Sequence, residues 1–211
     1  MLRRRELMAF ANGAPVLPSG WKECTRIYTK SASTYIDTEY VANGNTTFKA
    51  KFSFEDIGGY FFGADSGGGS QMFGIQWSVN LLYPGYGSTR KYFDIYFNQG
   101  VFNAGDIMVL DLQKGDWKIY NGDALIVSHD FGYQDFSCDY PFYLFSECRN
   151  GSKNGGAVGV SFYGGQIYDG DILMHNLIPC IDDAGIGCLF DSVTQKSYYD
   201  AAGVGFNYEL K

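Results

Sequence analysis

The stretch that decides the fold is TTFKAKFSF, residues 46–54, in which large apolar side chains alternate with polar ones. Phe48 and Phe52 fall on one side of an extended chain, whereas Lys49 and Lys51 fall on the other. A repeat of two residues is typical of a strand in a sheet that has one buried and one solvated face. The stretch therefore predicts an antiparallel sheet with Phe52 at the centre of its buried face.

Short apolar segments of this kind recur along the chain from residue 21 onward. Predicted strands cover residues 34–38, 60–64, 72–77, 92–97, 107–112, 117–120, 125–127, 142–145, 157–162 and 166–175. Residues 114–116 and 121–122 are predicted tight turns, and residues 82–87 a predicted loop. Strands that recur about every 8–12 residues, without a segment of helical period, indicate a sandwich or a jelly roll.

The composition agrees with an all-β protein and excludes several other classes. Hydrophobic residues make up 45% of the 211 residues and charged residues only 18%, against a usual charged share of about 25%. This balance excludes a disordered chain, a coiled coil and a helical protein rich in surface charge. The 17 tyrosines and 17 phenylalanines favour strands, and the 28 glycines suit the turns between them.

Charge and histidine content exclude two kinds of binding. The net charge of −7 leaves no general excess of positive charge with which to bind nucleic acid. The chain contains two histidines, His129 and His175, so a metal site built from several histidines is excluded.

The five cysteines do not form a zinc-binding pattern, because their number is odd and none of them belongs to a C-x-x-C motif. Two pairs, Cys138 with Cys148 and Cys180 with Cys188, are candidates for a disulfide. The alternative that we expect is a set of buried or half-buried free thiols, as in a protein made in a reducing cytoplasm.

Residues 1–20 differ from the rest and are predicted to form an arm and linker, followed by one domain over residues 21–211. The arm combines positive charge with apolar anchors, which are Arg3, Arg4, Arg5, Leu7 and Phe10. Such an arm would dock on an acidic partner surface or on a neighbouring copy of the chain. The alternatives are a cleavable leader and a solvated tail.

The start of the chain does not fit an export signal. Its apolar part is too short, contains the charged Glu6 and ends at Asn12-Gly13. A run of about 20 apolar residues is absent from the sequence, so a membrane span is not predicted. We therefore expect a protein that is made in the cytoplasm without a standard signal peptide.

The end of the chain carries a set of short motifs. They are NLIPC at 176–180, GCLFD at 187–191, SYY at 197–199 and AAGVGF at 201–206. The set resembles the C-terminal signature of laminin-G-like, concanavalin A-like jelly-roll domains of gut bacteria and their phages, which runs LVPC, GLYD, FY and AGTGxF. YIDT at 35–38 resembles an early strand of these domains, although Glu39 stands where they have glycine.

The resemblance spans residues 21–207 and implies an all-β, antiparallel two-sheet jelly-roll sandwich behind the short arm. In such a fold the last strand lies beside an early one, which protects the sheet edge. Asp191 would end its strand in a turn, and Gly203 and Gly205 would let the chain return to the sheet. The fold hosts lectins, glycanases and structural modules, so it implies no single function.

Catalytic residues are not evident, and we expect a protein that is not an enzyme. Glycanases of this fold hold two carboxylates about 5–5.5 Å apart, and the E-x-D-x-x-E motif that the resemblance would require is absent. The nearest same-face pairs, Asp169/Asp171 and Asp37/Glu39, are expected to be edge and turn carboxylates. A G-x-S-x-G motif is absent too, and neither histidine has a readable partner.

Aromatic residues are the candidates for glycan binding, because sugars stack their apolar faces on rings while nearby polar groups set their orientation. The candidate ring residues are Trp77, Tyr83, Tyr86 and Tyr92, and the candidate hydrogen-bonding residues are Asn80, Asn98 and Asn103. Ordinary packing is the default interpretation in a chain with so many tyrosines.

A structural calcium ion is a further expectation, since several relatives implied by the resemblance bind one through loop oxygens. The candidate ligands are Asp65, Asp94, Asp130, Asp135 and Asp139. The alternative is that these are ordinary turn carboxylates, because an EF-hand-like spacing is absent.

These observations together predict a non-catalytic recognition or structural module. We expect a virion surface component of a phage, such as a head or tail fibre or a decoration protein, with a face that binds glycans and an arm that binds another virion protein or a second copy. The alternatives are a carbohydrate-binding protein of the bacterial cell surface and a glycoside hydrolase of the same fold.

Overall fold

The computed structural model describes residues 16–55, 58–68, 71–78, 81–94 and 102–211. The predicted docking residues of the arm lie outside the described residues. Every regular element in the described part is a β-strand, so the all-β prediction is confirmed. None of these segments forms a helix with the length and apolar character that a membrane crossing requires.

The strands are numbered in chain order and form two sheets. Those of the larger sheet are β1 (Lys22–Thr29), β3 (Thr46–Phe54), β9 (Met108–Gln113), β10 (Asp116–Asn121), β11 (Ala124–Asp130), β15 (Val160–Asp169), β16 (Ile172–Ile181), β17 (Gly187–Asp191), β18 (Lys196–Tyr198) and β19 (Phe206–Leu210). Those of the smaller sheet are β2 (Ile36–Asp37), β4 (Gly59–Asp65), β5 (Met72–Ser78), β6 (Leu81–Gly87), β7 (Thr89–Arg90), β8 (Phe93–Asp94), β12 (Tyr143–Leu144), β13 (Glu147–Arg149) and β14 (Ser152–Asn154).

The larger sheet has the order β11-β10-β9-β3-β15-β16-β1-β19-β17-β18. Strand β3 has the bounds that the alternating stretch predicts, and it is paired antiparallel on both sides. Phe52 lies opposite Met108 of β9 and Phe162 of β15, and all three side chains are buried. The alternation therefore marks a central strand of this sheet.

The two ends of the described chain meet in the larger sheet. Strand β19 pairs with β1, where Tyr208 lies opposite Ile27. Strand β17 pairs with both β16 and β19, so that β15, β16, β17, β19 and β1 form a closed circuit of pairings. The expectation that the last strand lies beside an early one is confirmed.

The smaller sheet has the order β14-β13-β4-β5-β6-β7, and β12, β2 and β8 join it at the side. Strands β4, β5 and β6 form an antiparallel meander. Strand β13 lies parallel to β4 and places Arg149 opposite Asp65. This parallel pairing brings together residues that are far apart in the sequence.

The main core lies between the two sheets and is built largely of rings. The ring centroids of Phe48 and Phe62 are 4.8 Å apart, and those of Phe54 and Trp77 are 4.7 Å apart. In each pair the first ring comes from the larger sheet and the second from the smaller sheet. Aromatic pairs at these separations add to the stabilisation that area burial supplies.

Residues 82–87 form most of strand β6, so the predicted loop is wrong. Leu82, Pro84 and Tyr86 are buried, whereas Tyr83 between them is only half-buried. Pro84 fits the strand because its carbonyl still accepts a hydrogen bond, 3.0 Å from the amide nitrogen of Lys91. Proline is tolerated in a strand where its missing N–H group is not needed for the ladder.

The predicted strand over residues 166–175 is wrong as well, because a tight turn interrupts it. Gly170 has a φ of 61° and joins β15 to β16. Only glycine adopts this conformation without strain, and the residues on both sides continue the strand pattern. The apolar pattern therefore concealed the turn.

A second, smaller apolar cluster lies on the other side of strands β16 and β17. It contains Ile178, Cys180, Cys188 and Phe190, and the partly buried Leu17 and Trp21 cover it. The rings of Trp21 and Phe190 meet edge to face at 5.9 Å. The segment that precedes β1 is therefore packed against the larger sheet.

Candidate functional site

A row of glycines crosses the outer face of the smaller sheet. Gly63 of β4 lies opposite Gly74 of β5, which in turn lies opposite Gly85 of β6. The neighbours of each glycine along its own strand point into the core, so the glycines face away from it. We call this row the glycine groove; the side chains of Glu147 and Met72 cover Gly63 and Gly85, so that its backbone is partly exposed at Gly74 in the middle.

Close approach explains why the groove contains glycine. A Cβ atom at Gly74 would lie 2.7 Å from the Cα atom of Gly63 and 2.8 Å from the carbonyl oxygen of Phe62. A Cβ atom at Gly85 would lie 2.5 Å from the sulfur of Met72. The side chain of Met72 thus lies over one end of the groove, and backbone would have to move to admit a residue in its middle.

Aromatic residues form one side of the glycine groove. Tyr60, Gln76 and Tyr83 follow one another across β4, β5 and β6. The ring centroids of Tyr83 and Tyr92 are 5.0 Å apart and their planes meet at 85°. Tyr92 is 65% exposed, so this pair presents ring surface to solvent.

Charged residues form the other side and surround a depression of about 470 Å³, which we call the arginine depression. Arg149 Nη2 lies 3.3 Å from Asp65 Oδ2 and 3.1 Å from Glu147 Oε2. Arg90 Nη2 approaches the same Asp65 oxygen at 3.9 Å. Two arginines and two buried carboxylates therefore share one cluster beside the glycine groove.

The two carboxylates of this cluster differ in their environment. Asp65 accepts a hydrogen bond of 2.8 Å from the amide of Gly67, which holds the turn after β4. Glu147 accepts a bond of 2.7 Å from Asn154 Nδ2. Burial raises the pKa of Glu147, although the bond from Asn154 and the charge of Arg149 oppose that shift.

The structure divides the four predicted ring residues into two groups. Tyr83 and Tyr92 lie together on the outer face, beside the glycine groove. Trp77 and Tyr86 are core residues that are 1% and 0% exposed, and the Tyr86 hydroxyl donates to the carbonyl of Gly44. The prediction is wrong for Trp77 and Tyr86, because burial leaves no ring face for a ligand.

The predicted hydrogen-bonding residues do not join this site. Asn103 is exposed, and both its backbone N–H and its side-chain Nδ2 donate to Asp106 Oδ2, over 2.9 Å and 3.3 Å. Asn80 and Asn98 lie outside the described residues.

His175 has a partner that the sequence analysis missed. Its Nδ1 atom lies 2.8 Å from Asp191 Oδ2, and both side chains are buried. Asp191 also accepts bonds from the amides of Asn176 and Val193 and from the hydroxyl of Thr194. Burial alone would raise the pKa of Asp191, but these bonds outweigh it and lower the pKa. The dyad holds the turn that the resemblance implies for Asp191.

The predicted acidic pairs are surface and turn residues, as expected. Asp171 is fully exposed and forms an ion pair with Lys114 at 3.7 Å. Asp37 accepts a bond of 2.8 Å from the amide of Glu39. The two acidic residues that the structure does bring together, Asp65 and Glu147, belong to strands whose parallel pairing the sequence pattern does not reveal.

The candidate calcium ligands do not gather around one point. Within the described residues, no group of three or more histidine, cysteine, aspartate or glutamate side chains is arranged to hold a metal ion. Asp130 accepts the amide of Gly132, and Asp65 is engaged by the arginines. The side chain of Asp94 lies outside the described part.

All five cysteines are buried free thiols. Cys180 and Cys188 lie directly opposite each other on β16 and β17, with their sulfur atoms 3.5 Å apart. Cys138 and Cys148 lie on separate segments of the smaller-sheet side. Burial raises the pKa of Cys138 to about 12, which keeps this thiol protonated and unreactive at neutral pH.

The glycine groove has a signal in the sequence. Gly63, Gly74 and Gly85 recur at a constant interval, and each stands between two residues that face the core. A glycine at an outward position of three successive strands indicates close approach or an exposed backbone. Neither a family model nor a curated protein matches this chain.

Proposed function

We propose that this protein is a non-catalytic recognition domain that binds glycan chains on the outer face of its smaller sheet. The observation that carries the proposal is the pair of the half-buried Tyr83 and the exposed Tyr92, which lies on the same face as the glycine groove and the arginine depression. Rings that stack on sugars and fixed polar groups that orient them are the two components such a site needs.

The shape of the face supports an extended ligand. The glycine groove crosses three strands, with tyrosines on one side and charged residues on the other. Gln76 lies between Tyr60 and Tyr83 in register, so an amide borders the groove beside the rings. A short chain of sugars would contact rings, an amide and guanidinium groups at once.

A glycan array with the wild type and two variants tests this function. We expect Tyr83→Ala and Tyr92→Ala to lose most of the binding, because each removes a ring face. Tyr133→Ala is the matched control, since Tyr133 is 60% exposed and is not among the residues that line the site. A wild type that binds no glycan, or a Tyr83→Ala variant that binds as well as the control, would contradict the proposal.

We also propose that the two sheets form a laminin-G-like jelly roll of the concanavalin A type. The pairing of β19 with β1 and the ring contacts between the sheets support this assignment. An experimental structure tests it through the strand order of each sheet. A single closed barrel without a second packed sheet would contradict it.

We propose further that this domain is a surface component of a phage particle. The basis of this proposal is the basic and apolar arm and the family resemblance. Analysis of purified particles by mass spectrometry is the test. Absence of the chain from intact particles would favour the alternative, a carbohydrate-binding protein of the bacterial cell surface.

A glycoside hydrolase is a second candidate function, and one observation favours it. Asp65 and Glu147 contact the same nitrogen of Arg149, so two carboxylates lie close together beside a groove. A raised pKa such as that of Glu147 suits a general acid. Release of reducing sugar from a bound glycan, lost in both Asp65→Asn and Glu147→Gln, would establish this function against our main proposal.

A further inference from the structure

Two arginines from different strands border the arginine depression. Arg90 belongs to β7 and lies opposite Gly85, whereas Arg149 belongs to β13 and lies opposite Asp65. Arg90 also lines the neighbouring small pocket together with Tyr83. A ligand that contacts the ring of Tyr83 can therefore reach a guanidinium group on the same face.

The guanidinium groups have more hydrogen-bond donors than their neighbours use. Each arginine carries five N–H donors. The ion-pair contacts of Arg90 and Arg149 are made by the Nη2 atoms, and both side chains line the depression with 30% and 40% of their surface exposed for Arg90 and Arg149. Arg149 Nε is buried and finds no hydrogen-bond partner among the described residues. Because this nitrogen is buried, a ligand in the depression would contact the Nη groups rather than Nε.

The rim of the depression stays open because of its glycines. Gly67 and Gly68 follow β4 with φ angles of 86° and 67°, which favour glycine. A Cβ atom at Gly67 would lie 2.4 Å from Asn150 Oδ1, so a side chain there would push into the lining of the depression. The turn thus leaves room for a ligand group above the arginines.

Only direct contact with the guanidinium groups of the arginine depression favours an acidic ligand. The net charge of −7 repels acidic ligands from the protein as a whole. At physiological ionic strength, salt screens this repulsion beyond about 8 Å. Asp65 and Glu147 offset the two arginines, and burial favours the neutral form of Glu147. Binding of an acidic ligand would therefore depend on direct contacts with the guanidinium groups.

We infer that the glycan bound by this domain contains a sugar with a carboxylate group, and that Arg90 and Arg149 bind that carboxylate. The inference rests on the proposed glycan-binding function and specifies its ligand class. Arginine is suited to this role because its planar fork matches the two oxygens of a carboxylate. The partly exposed Nη groups of the two arginines supply that fork.

The test compares two matched probes by titration calorimetry. One probe is an oligosaccharide of hexuronic acid, and the other is the same oligosaccharide after chemical reduction of its carboxylates to alcohols. Because hydrogen bonds to a charged group are stronger than those to a neutral group, we expect the acidic probe to bind at least about tenfold more tightly than the reduced probe. A sulfated oligosaccharide of equal length serves as a third probe and distinguishes a carboxylate from a general anion.

Two variants assign the preference to the arginines. We expect Arg90→Gln and Arg149→Gln to lose the preference for the acidic probe, while Arg26→Gln keeps it. Arg26 is the matched control, because it lies on the larger sheet and pairs with Glu209. Arg149→Gln leaves Asp65 and Glu147 without their main counter-charge and could prevent folding. In that case the preference of Arg90→Gln for the acidic probe is the test.

The outcomes separate this inference from the proposed function. Equal binding of the acidic and the reduced probe, or a preference that survives in Arg90→Gln, overturns the inference and leaves glycan binding intact. Sulfated and carboxylated probes that bind equally well overturn the carboxylate assignment. A wild type that binds none of the probes or other glycans overturns both proposals.

Discussion

The outer faces of the two sheets differ in how their side chains are used. On the larger sheet, polar side chains bond to one another across strands: Arg26 Nη1 lies 3.1 Å from Ser161 Oγ, and Gln166 Nε2 donates to Asn176 Oδ1 over 3.3 Å. On the smaller sheet, the side chains of Glu147 and Met72 cover Gly63 and Gly85, and Gly74 between them is partly exposed. A face whose groups satisfy one another has little left for a ligand, whereas the smaller sheet retains ring surface and unused donors.

The aromatic core lies beneath both outer faces, and a substitution there should have the largest effect on stability. Phe52→Ala should lower the free energy of unfolding by about 3–5 kcal/mol, because a fully buried ring would leave a cavity. Urea denaturation measures the change, with Tyr133→Ala as a control that should stay within about 0.5 kcal/mol. A loss below about 1 kcal/mol would mean that Phe52 does not fill the core beside Met108 and Phe162 as described.

Filling the glycine groove should impair the smaller sheet in both stability and binding. Gly74→Ala places a Cβ atom 2.7 Å from the Cα atom of Gly63, and such overpacking costs roughly 1–3 kcal/mol. We also expect weaker glycan binding, because the methyl group occupies the groove floor. Denaturation and calorimetry measure the two effects. A variant with wild-type stability would show that the strands tolerate a side chain at this position.

The two sheets should respond to acid in opposite directions. The pKa of Asp191, on the larger sheet, is lowered from 3.8, so its contribution to stability is present above that pH and is lost as the pH falls through the lowered value. The pKa of Glu147, on the smaller sheet, is raised from 4.5, so stability declines as the pH rises from 4.5 through the raised value.

Unfolding curves at several pH values test this contrast in two variants. The stability difference between wild type and Asp191→Asn should shrink in strong acid. Relative to Glu147→Gln, the wild type should lose stability as the pH rises above 4.5. Parallel pH profiles for wild type and both variants would contradict the assigned shifts.

The outer face of the larger sheet should be the least sensitive to substitution. The half-buried Lys49 Nζ lies 3.9 Å from Oδ1 of the buried Asp111, which is too far for a hydrogen bond, and Asp111 also accepts a bond of 2.8 Å from Gln113 Nε2. Lys49→Gln should therefore change the free energy of unfolding by less than about 1 kcal/mol and leave glycan binding unchanged. Loss of glycan binding in this variant would place the binding face on the larger sheet instead.

The parts of the fold that were predicted correctly are those in which consecutive residues carry the signal. Strand β3 has the predicted bounds, and the hairpin of β9 and β10 turns at Lys114–Gly115 as the turn residues indicate. Gly203 and Gly205 adopt φ angles of 74° and 82°, in agreement with the turn expected near the C-terminus. In each case a local repeat or a local turn preference is sufficient.

The candidate site was predicted only in part, for a related reason. Tyr83 and Tyr86 both fall in the predicted loop over residues 82–87, but the strand that forms there buries Tyr86 and leaves Tyr83 half-buried on the outer face. The cluster of Asp65 with Arg149 was missed altogether. It depends on the parallel pairing of β13 with β4, which no pattern within either strand indicates.

The sequence by itself determined that the chain forms strands, which side chains of β3 enter the core, and that rings fill that core. Alternation and turn preference are properties of neighbouring residues, so they can be read along the chain. Only the tertiary structure decided which outward residues meet. The order and register of strands depend on contacts between distant segments, and these place two arginines, two buried carboxylates and three glycines on one face.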